Sequence, residues 1–185
     1  MQFRRLGATG LDIAPLVLGG NVFGWTADRD TSFAILDAFL DAGFNAIDTA
    51  DVYSIFVPGH KGGESETVIG EWMKARGNRG KVVLITKGGL PMGETLKGLS
   101  KGYLPRACEA SLQRPQSDDI DLYYAHDDDP SVPIGESLEA FQALIDAGKI
   151  RSCGASNYTN DQLAEALAAG GTGRAAYASF QPHYN

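Results

Sequence analysis

Compact apolar runs alternate along the chain with longer stretches in which apolar residues recur at every third or fourth position. Residues 16–20, 45–49, 81–86, 119–125, 150–155 and 176–180 are such runs, several rich in β-branched residues, and each predicts a strand. Between them, residues 31–42 carry Phe33, Leu36, Phe39 and Leu40 at helical spacing, with Asp37 and Asp41 on the opposite side and Gly43 where a helix C-terminus favours it. Helices are also expected over 64–75, with acids in the first turn and Lys74 and Arg76 near the end, and over 105–113, where Pro105 is tolerated at the start. Two more follow, over 135–147, with Leu138, Phe141, Leu144 and Ile145 on one face, and from Thr159 to Ala169, where Thr159 and Gln162 make a capping box. Trp72 falls on the buried side of its helix. Ahead of the alternation, residues 3–6 and 11–13 predict a small hairpin around Ala8-Thr9-Gly10.

Strands alternating with helices predict an α/β fold with a parallel sheet covered on both faces. A doubly wound open sheet and an eight-stranded barrel both suit this order, and both bind ligands at the C-terminal ends of their strands. The first strand argues against a dinucleotide-binding open sheet. Gly19-Gly20-Asn21-Val22-Phe23-Gly24 lacks the G-x-G-x-x-G spacing, and a long loop separates it from the first helix. The expectation is one domain over 1–185, a parallel (β/α)8 TIM barrel that is incomplete, with about six of eight strands, plus an N-terminal β-hairpin. A typical barrel has about 250 residues, and a buried-looking strand here ends at Phe180-Gln181 without a covering helix. A fragment, a cleavage product or a partial record of a longer protein is expected.

Composition narrows the function classes. The 185 residues are 43 % hydrophobic and 21 % charged, with a formal net charge of -7. That acidity argues against nucleic acid or an anionic membrane as partner. No apolar run approaches the roughly 20 residues of a spanning helix, and the N-terminus has no signal-peptide core. Cys108 and Cys153 lie far apart without metal-ligand spacing, which suits a reducing cytoplasm. Oligomeric state is not legible.

Asp48, Lys87 and His126 each end a different predicted strand, and Tyr53 follows the strand of Asp48. In a parallel barrel these ends converge on one mouth. Taken singly, Asp48 is a loop cap, Tyr53 a packing residue, Lys87 a surface charge and Ser156-Asn157 a turn or helix entry. Trp25, Ile55 and Phe56 equally well pin their own loops. His126 beside Asp127-Asp128-Asp129 raises a metal-dependent hydrolase as an alternative, although one histidine and a solvated acidic run make a weak metal signature. No metal is expected. The convergence of four such residues outweighs each bland reading.

The chain as a whole resembles the aldo-keto reductases. The resemblance rests on Arg5-Leu6-Gly7, Thr9-Gly10-Leu11 and Leu18-Gly19-Gly20, on Asp48-Thr49-Ala50 with Tyr53, and on Glu64-Ser65-Glu66 with Gly70. It continues in Thr86-Lys87, His126, Gly154-Ala155-Ser156-Asn157, and Gln181 with Tyr184-Asn185. It implies a nicotinamide-dependent reduction of aldehyde or ketone carbonyls, with NADP(H) as the usual cofactor and NAD(H) the alternative. Tyr53 would protonate the carbonyl oxygen. A phenol titrates near 10, so proton transfer near pH 7 asks for about 4 kcal/mol of assistance. Lys87 would supply much of it, Asp48 would hold Lys87, and His126 would orient the carbonyl. Gly20 and Asn21 would flank the cofactor, with Asp48 beside it. Ser156 and Asn157 would bind its carboxamide with Gln181 as their partner. Trp25, Tyr53 and His126 would face the substrate, with Ile55 and Phe56 nearby. In the family, the last two strands and their loops hold the pyrophosphate and read the 2′-phosphate, so weak cofactor binding is expected of 185 residues alone. A second expectation is an auxiliary protein-binding subunit of the same fold with little turnover.

Overall fold

The computed structural model describes residues 2–183. A hairpin of β1 (Arg4–Arg5) and β2 (Asp12–Ile13) precedes a curled six-stranded parallel sheet. Its strands run in chain order: β3 (Val17–Gly19), β4 (Ala46–Asp48), β5 (Val83–Gly88), β6 (Ile120–Ala125), β7 (Ile150–Ser156) and β8 (Phe180–Gln181). Five helices lie between them: α1 (Arg29–Asp41), α2 (Glu64–Arg76), α3 (Leu104–Gln113), α4 (Ile134–Asp146) and α5 (Asn160–Ala169). Neighbouring strands in sequence are neighbours in the sheet, which is the order of an unclosed barrel rather than of a doubly wound sheet.

The period-two alternation of strand side chains sorts this sheet into two cores. Ala46, Ile85, Leu122 and Tyr124 point into the curl, where Leu11 of the hairpin joins them. Ile47, Leu84, Tyr123 and Ala125 point the other way, onto Leu36, Ile69, Trp72, Leu104 and Phe141 of the helices. Every residue of β6 is buried, as expected of a central strand covered on both faces. Each large apolar side chain so buried contributes roughly 1.5–3 kcal/mol.

The helix ends follow their sequence signals. Asp28 caps α1 by accepting from the Thr31 amide, and Thr159 and Gln162 form the expected capping box of α5. Gly77 closes α2 in a left-handed conformation, and Pro105 lies in the first turn of α3. Asp37, on the polar side of α1 and half-buried, accepts from Trp72 Nε1 at 2.8 Å and pairs with Arg76, joining α1 to α2. The strand expected from residue 81 begins at Val83, because a 3-10 turn (Arg79–Lys81) intervenes and the Arg79 guanidinium donates to Val82 O and Asp119 O.

The strand expected over 176–180 is displaced to Phe180–Gln181. Tyr177 is buried among Phe141 and Tyr158 of the outer core, and inter-strand bonds begin only where the Ala178 amide donates to Cys153 O. The hairpin is fastened beneath the sheet. Gly7, at φ +49°, lies so close to Ala178 O that a Cβ there would sit 2.1 Å from it, and the Asn45 side chain bonds both Asp12 O and Ala14 N. Among the described residues no helix is long and apolar enough to cross a membrane.

Candidate active site

The inward parity of each strand carries to its C-terminal end. Two positions after Ala46, Ile85 and Tyr124 come Asp48, Lys87 and His126, so all three turn toward the same mouth of the curl. Ser156 reaches it from the end of β7.

Lys87 is 1 % exposed, and its ammonium makes three hydrogen bonds. It donates to Asp48 Oδ2 at 2.6 Å, to Thr49 O at 3.0 Å and to Tyr53 Oη at 2.8 Å. An ammonium has three protons, so all are committed. The phenol oxygen of Tyr53 therefore accepts from Lys87, and its own O–H is left to donate elsewhere. The rings of Tyr53 and His126 meet edge to face, with centroids 5.9 Å apart. Four residues chosen from sequence are thus in one cluster.

Burial sets the charges. Desolvation, aided by the Lys87 charge, pushes His126 down to about 3, so its imidazole is neutral at ordinary pH. Burial raises the Asp48 carboxyl above its usual range, with the Lys87 ammonium opposing. His126 is held by its backbone: its amide donates to Gly88 O, and its carbonyl accepts from Asn157 Nδ2 at 2.9 Å. Asn157 has φ +60°, a left-handed conformation that asparagine tolerates better than most residues, and its amide donates to Gln181 O. The Ser156 hydroxyl reaches Gln181 Oε1 at 3.5 Å.

Gly20 has a structural reason to lack a side chain. Its amide donates to Asp48 O at 2.7 Å, and a Cβ would meet Ser65 Oγ, Asp48 O and Phe23 at 3.0–3.1 Å. Asn21 is exposed on the rim. Trp25, 45 % exposed, stands edge to face against Phe56 at 4.9 Å, and Ile55 is half-buried beside them. Tyr184 and Asn185 lie outside the described residues.

Behind the mouth is a layer of polar groups given no role from sequence. Thr49 Oγ1 donates to Ser65 Oγ, which donates to Gly20 O. Glu66 is fully buried, accepts from Thr86 Oγ1 at 2.6 Å and pairs with Arg114. Asp51 is buried with neither carboxyl oxygen bonded, and its amide donates to Lys87 O. Glu64-Ser65-Glu66 was visible as a motif, but nothing in its spacing told that two of the three turn inward. Among the described residues no three His, Cys, Asp or Glu side chains gather as a metal-ligand set; Asp128 and Asp129 instead accept from Gln162 and from the Leu99 amide.

A sequence model of the aldo/keto reductase family matches residues 15–185. The chain is 38 % identical over 175 residues to the uncharacterized oxidoreductase YrpG of Bacillus subtilis, covering 91 % of this chain and 53 % of that protein. It is 35 % identical over 170 residues to the aldo-keto reductase YhdN of the same organism, covering 88 % and 49 %. The holo form of the aldo-keto reductase AKR11C1 from Bacillus halodurans superposes with a TM-score of 0.83 at 32 % identity, covering all of this chain and 58 % of that one. The chain spans about half the length of the curated relatives it matches.

Proposed function

The chain belongs to the aldo/keto reductase family, and from that premise we propose that Asp48, Tyr53, Lys87 and His126 reduce aldehyde or ketone carbonyls to alcohols with a nicotinamide cofactor. The observation that carries this reading is the hydrogen bond from a fully committed Lys87 ammonium to the Tyr53 phenol oxygen.

A nicotinamide bound at this mouth would supply the hydride that the carbonyl carbon takes up. Tyr53 gives its proton to the carbonyl oxygen, and negative charge develops on the phenol oxygen 2.8 Å from Lys87 Nζ. A preorganised charge at that point lowers the barrier because nothing has to reorient as the proton leaves. Asp48 fixes Lys87. Neutral His126 offers a ring N–H to the carbonyl oxygen and orients it. The product is an alcohol, and Tyr53 regains its proton from water.

The donor set at the ends of β7 and β8 fits a nicotinamide carboxamide. Asn157 Nδ2 is taken by His126 O, which leaves Asn157 Oδ1 to accept an amide proton, and the Ser156 hydroxyl and Gln181 side chain lie beside it. Gly20, Asn21 and Asp48 flank the same mouth. NADP(H) is the proposed cofactor, with NAD(H) the alternative. Trp25 and Phe56 form the proposed apolar wall for the substrate. Two buried free cysteines, Cys108 and Cys153, suit a reducing cytoplasm.

The test uses this chain followed by the C-terminal part of the YhdN barrel, so that all four proposed groups come from this chain. Aldehyde-dependent oxidation of NADPH is expected, and Lys87→Met should lower kcat by about 10²–10⁴-fold. Full turnover by Lys87→Met would remove the pair from the mechanism.

A further inference from the structure

A cavity lies behind the 48–53 turn, against α3. It has a volume of roughly 230 Å³ and lies between that turn, the β5–α3 connection and one face of the helix. Its walls are Met92, Leu96, Tyr103, Ala107 and Ala110, with Asp51 at its inner end. Two guanidinium groups, Arg106 and Arg114, complete the lining.

We propose that this cavity is a binding site for a small organic carboxylate, one ring or a short chain bearing the acid group. Size sets the first limit. An engineered cavity of about 150 Å³ holds benzene, and drug-sized ligands occupy roughly 300 Å³ or more; 230 Å³ falls between them. The apolar walls suit a hydrocarbon body.

Charge sets the second limit. Arg106 is exposed and makes no ion pair or hydrogen bond among the described residues. Arg114 is half-buried and gives its Nε to Glu66, which lies behind the cavity rather than in its lining. Asp51 does not cancel these charges, because burial, reinforced by Glu66, pushes its carboxyl up to about 8. Glu66 already pairs with Arg114, so the open charge is that of Arg106: an ammonium ligand would meet a like charge there, and an uncharged one would leave it without a partner. A carboxylate gains a charge-assisted bond from Arg106 at the mouth while its body fills the apolar space.

The site shares no side chain with the proposed reductive centre, so it stands or falls separately from it. The two are adjacent, since the Asp51 amide bonds Lys87 O.

The experiment titrates the chain with sodium benzoate, benzyl alcohol and benzylamine, reading thermal unfolding and backbone amide shifts. Saturable stabilisation by benzoate is expected, with shifts centred on Leu96, Ala107 and Ala110. Arg106→Gln should bind benzoate about tenfold more weakly, the worth of one charge-assisted bond. Leu96→Trp, at an exposed position, should block binding while leaving the melting temperature of the free chain unchanged. Absence of saturable binding would overturn the proposal. So would equal binding of benzyl alcohol or benzylamine, shifts confined to Tyr53 and His126, or unaltered benzoate affinity in Arg106→Gln.

Discussion

Lys87 and Asp48 are the most costly residues in the site to bury, and each depends on the other. Asp48→Asn leaves the ammonium in a water-poor setting with only Thr49 O and Tyr53 Oη as full partners. Breaking a buried pair from one side costs about 3–5 kcal/mol. Urea unfolding of the variant should show that loss, and a cost below about 1 kcal/mol would mean that the pair is solvated. Two other buried groups give stability opposite slopes with pH. His126 is lowered from 6.5 to about 3, so its contribution is complete above about 6.5 and is lost as pH falls through 3. Asp51 is raised from 3.8 to about 8, so its contribution is complete below about 3.8 and is lost as pH rises through 8. The slopes partly cancel in between, and variants separate them: His126→Gln should remove part of the acid-side loss, and Asp51→Asn part of the alkaline-side loss. Unfolding free energies across a pH series check both. The four clustered residues were legible because each follows a recognisable strand. Asp51, Glu66 and Arg114 were not, since the groups they meet lie far off in sequence: Thr86 and Arg114 for Glu66, and Lys87 O for the Asp51 amide.

At the scale of elements, alternation along the strands explains why the site assembles. Ala46, Ile85 and Tyr124 face the curl, and the groups two residues onward share that direction. The apolar runs placed the strands but not their ends. Arg79 delays β5 by capping Val82 O, and Tyr177 draws residues 176–177 into the outer core and away from β7. The second Arg79 bond, to Asp119 O, and the packing of Tyr177 on Phe141 join residues too far apart in sequence for a local window to encode. Gly154 marks how closely β7 and β8 approach: a Cβ there would lie 2.5 Å from the Tyr124 ring and 2.6 Å from Ser179 O. Gly154→Ala should cost about 1–3 kcal/mol and displace β8, which carries Gln181. Faster amide hydrogen exchange at Ala155 and Asn157, whose amides donate to Ser179 O and Gln181 O, is the expected sign. Unchanged protection at both would show that the strands have slack.

Over the whole molecule, the curl of six parallel strands brings positions 48, 87, 126 and 156 to one mouth, while the hairpin fastens the other end. The alternating pattern foretold this architecture because strand and helix periods are written locally, and the order of a barrel follows from it. What the pattern could not carry is the second polar layer behind the mouth, which exists only once the helices are docked. The most direct measurement of the central claim follows deuterium from C4 of the reduced cofactor into benzaldehyde, using this chain followed by the C-terminal part of the YhdN barrel. The account predicts benzyl alcohol labelled at its carbinol carbon, and a fall of about a hundredfold or more with Tyr53→Phe. Equal label transfer by Tyr53→Phe, or alcohol formed without label, would contradict it.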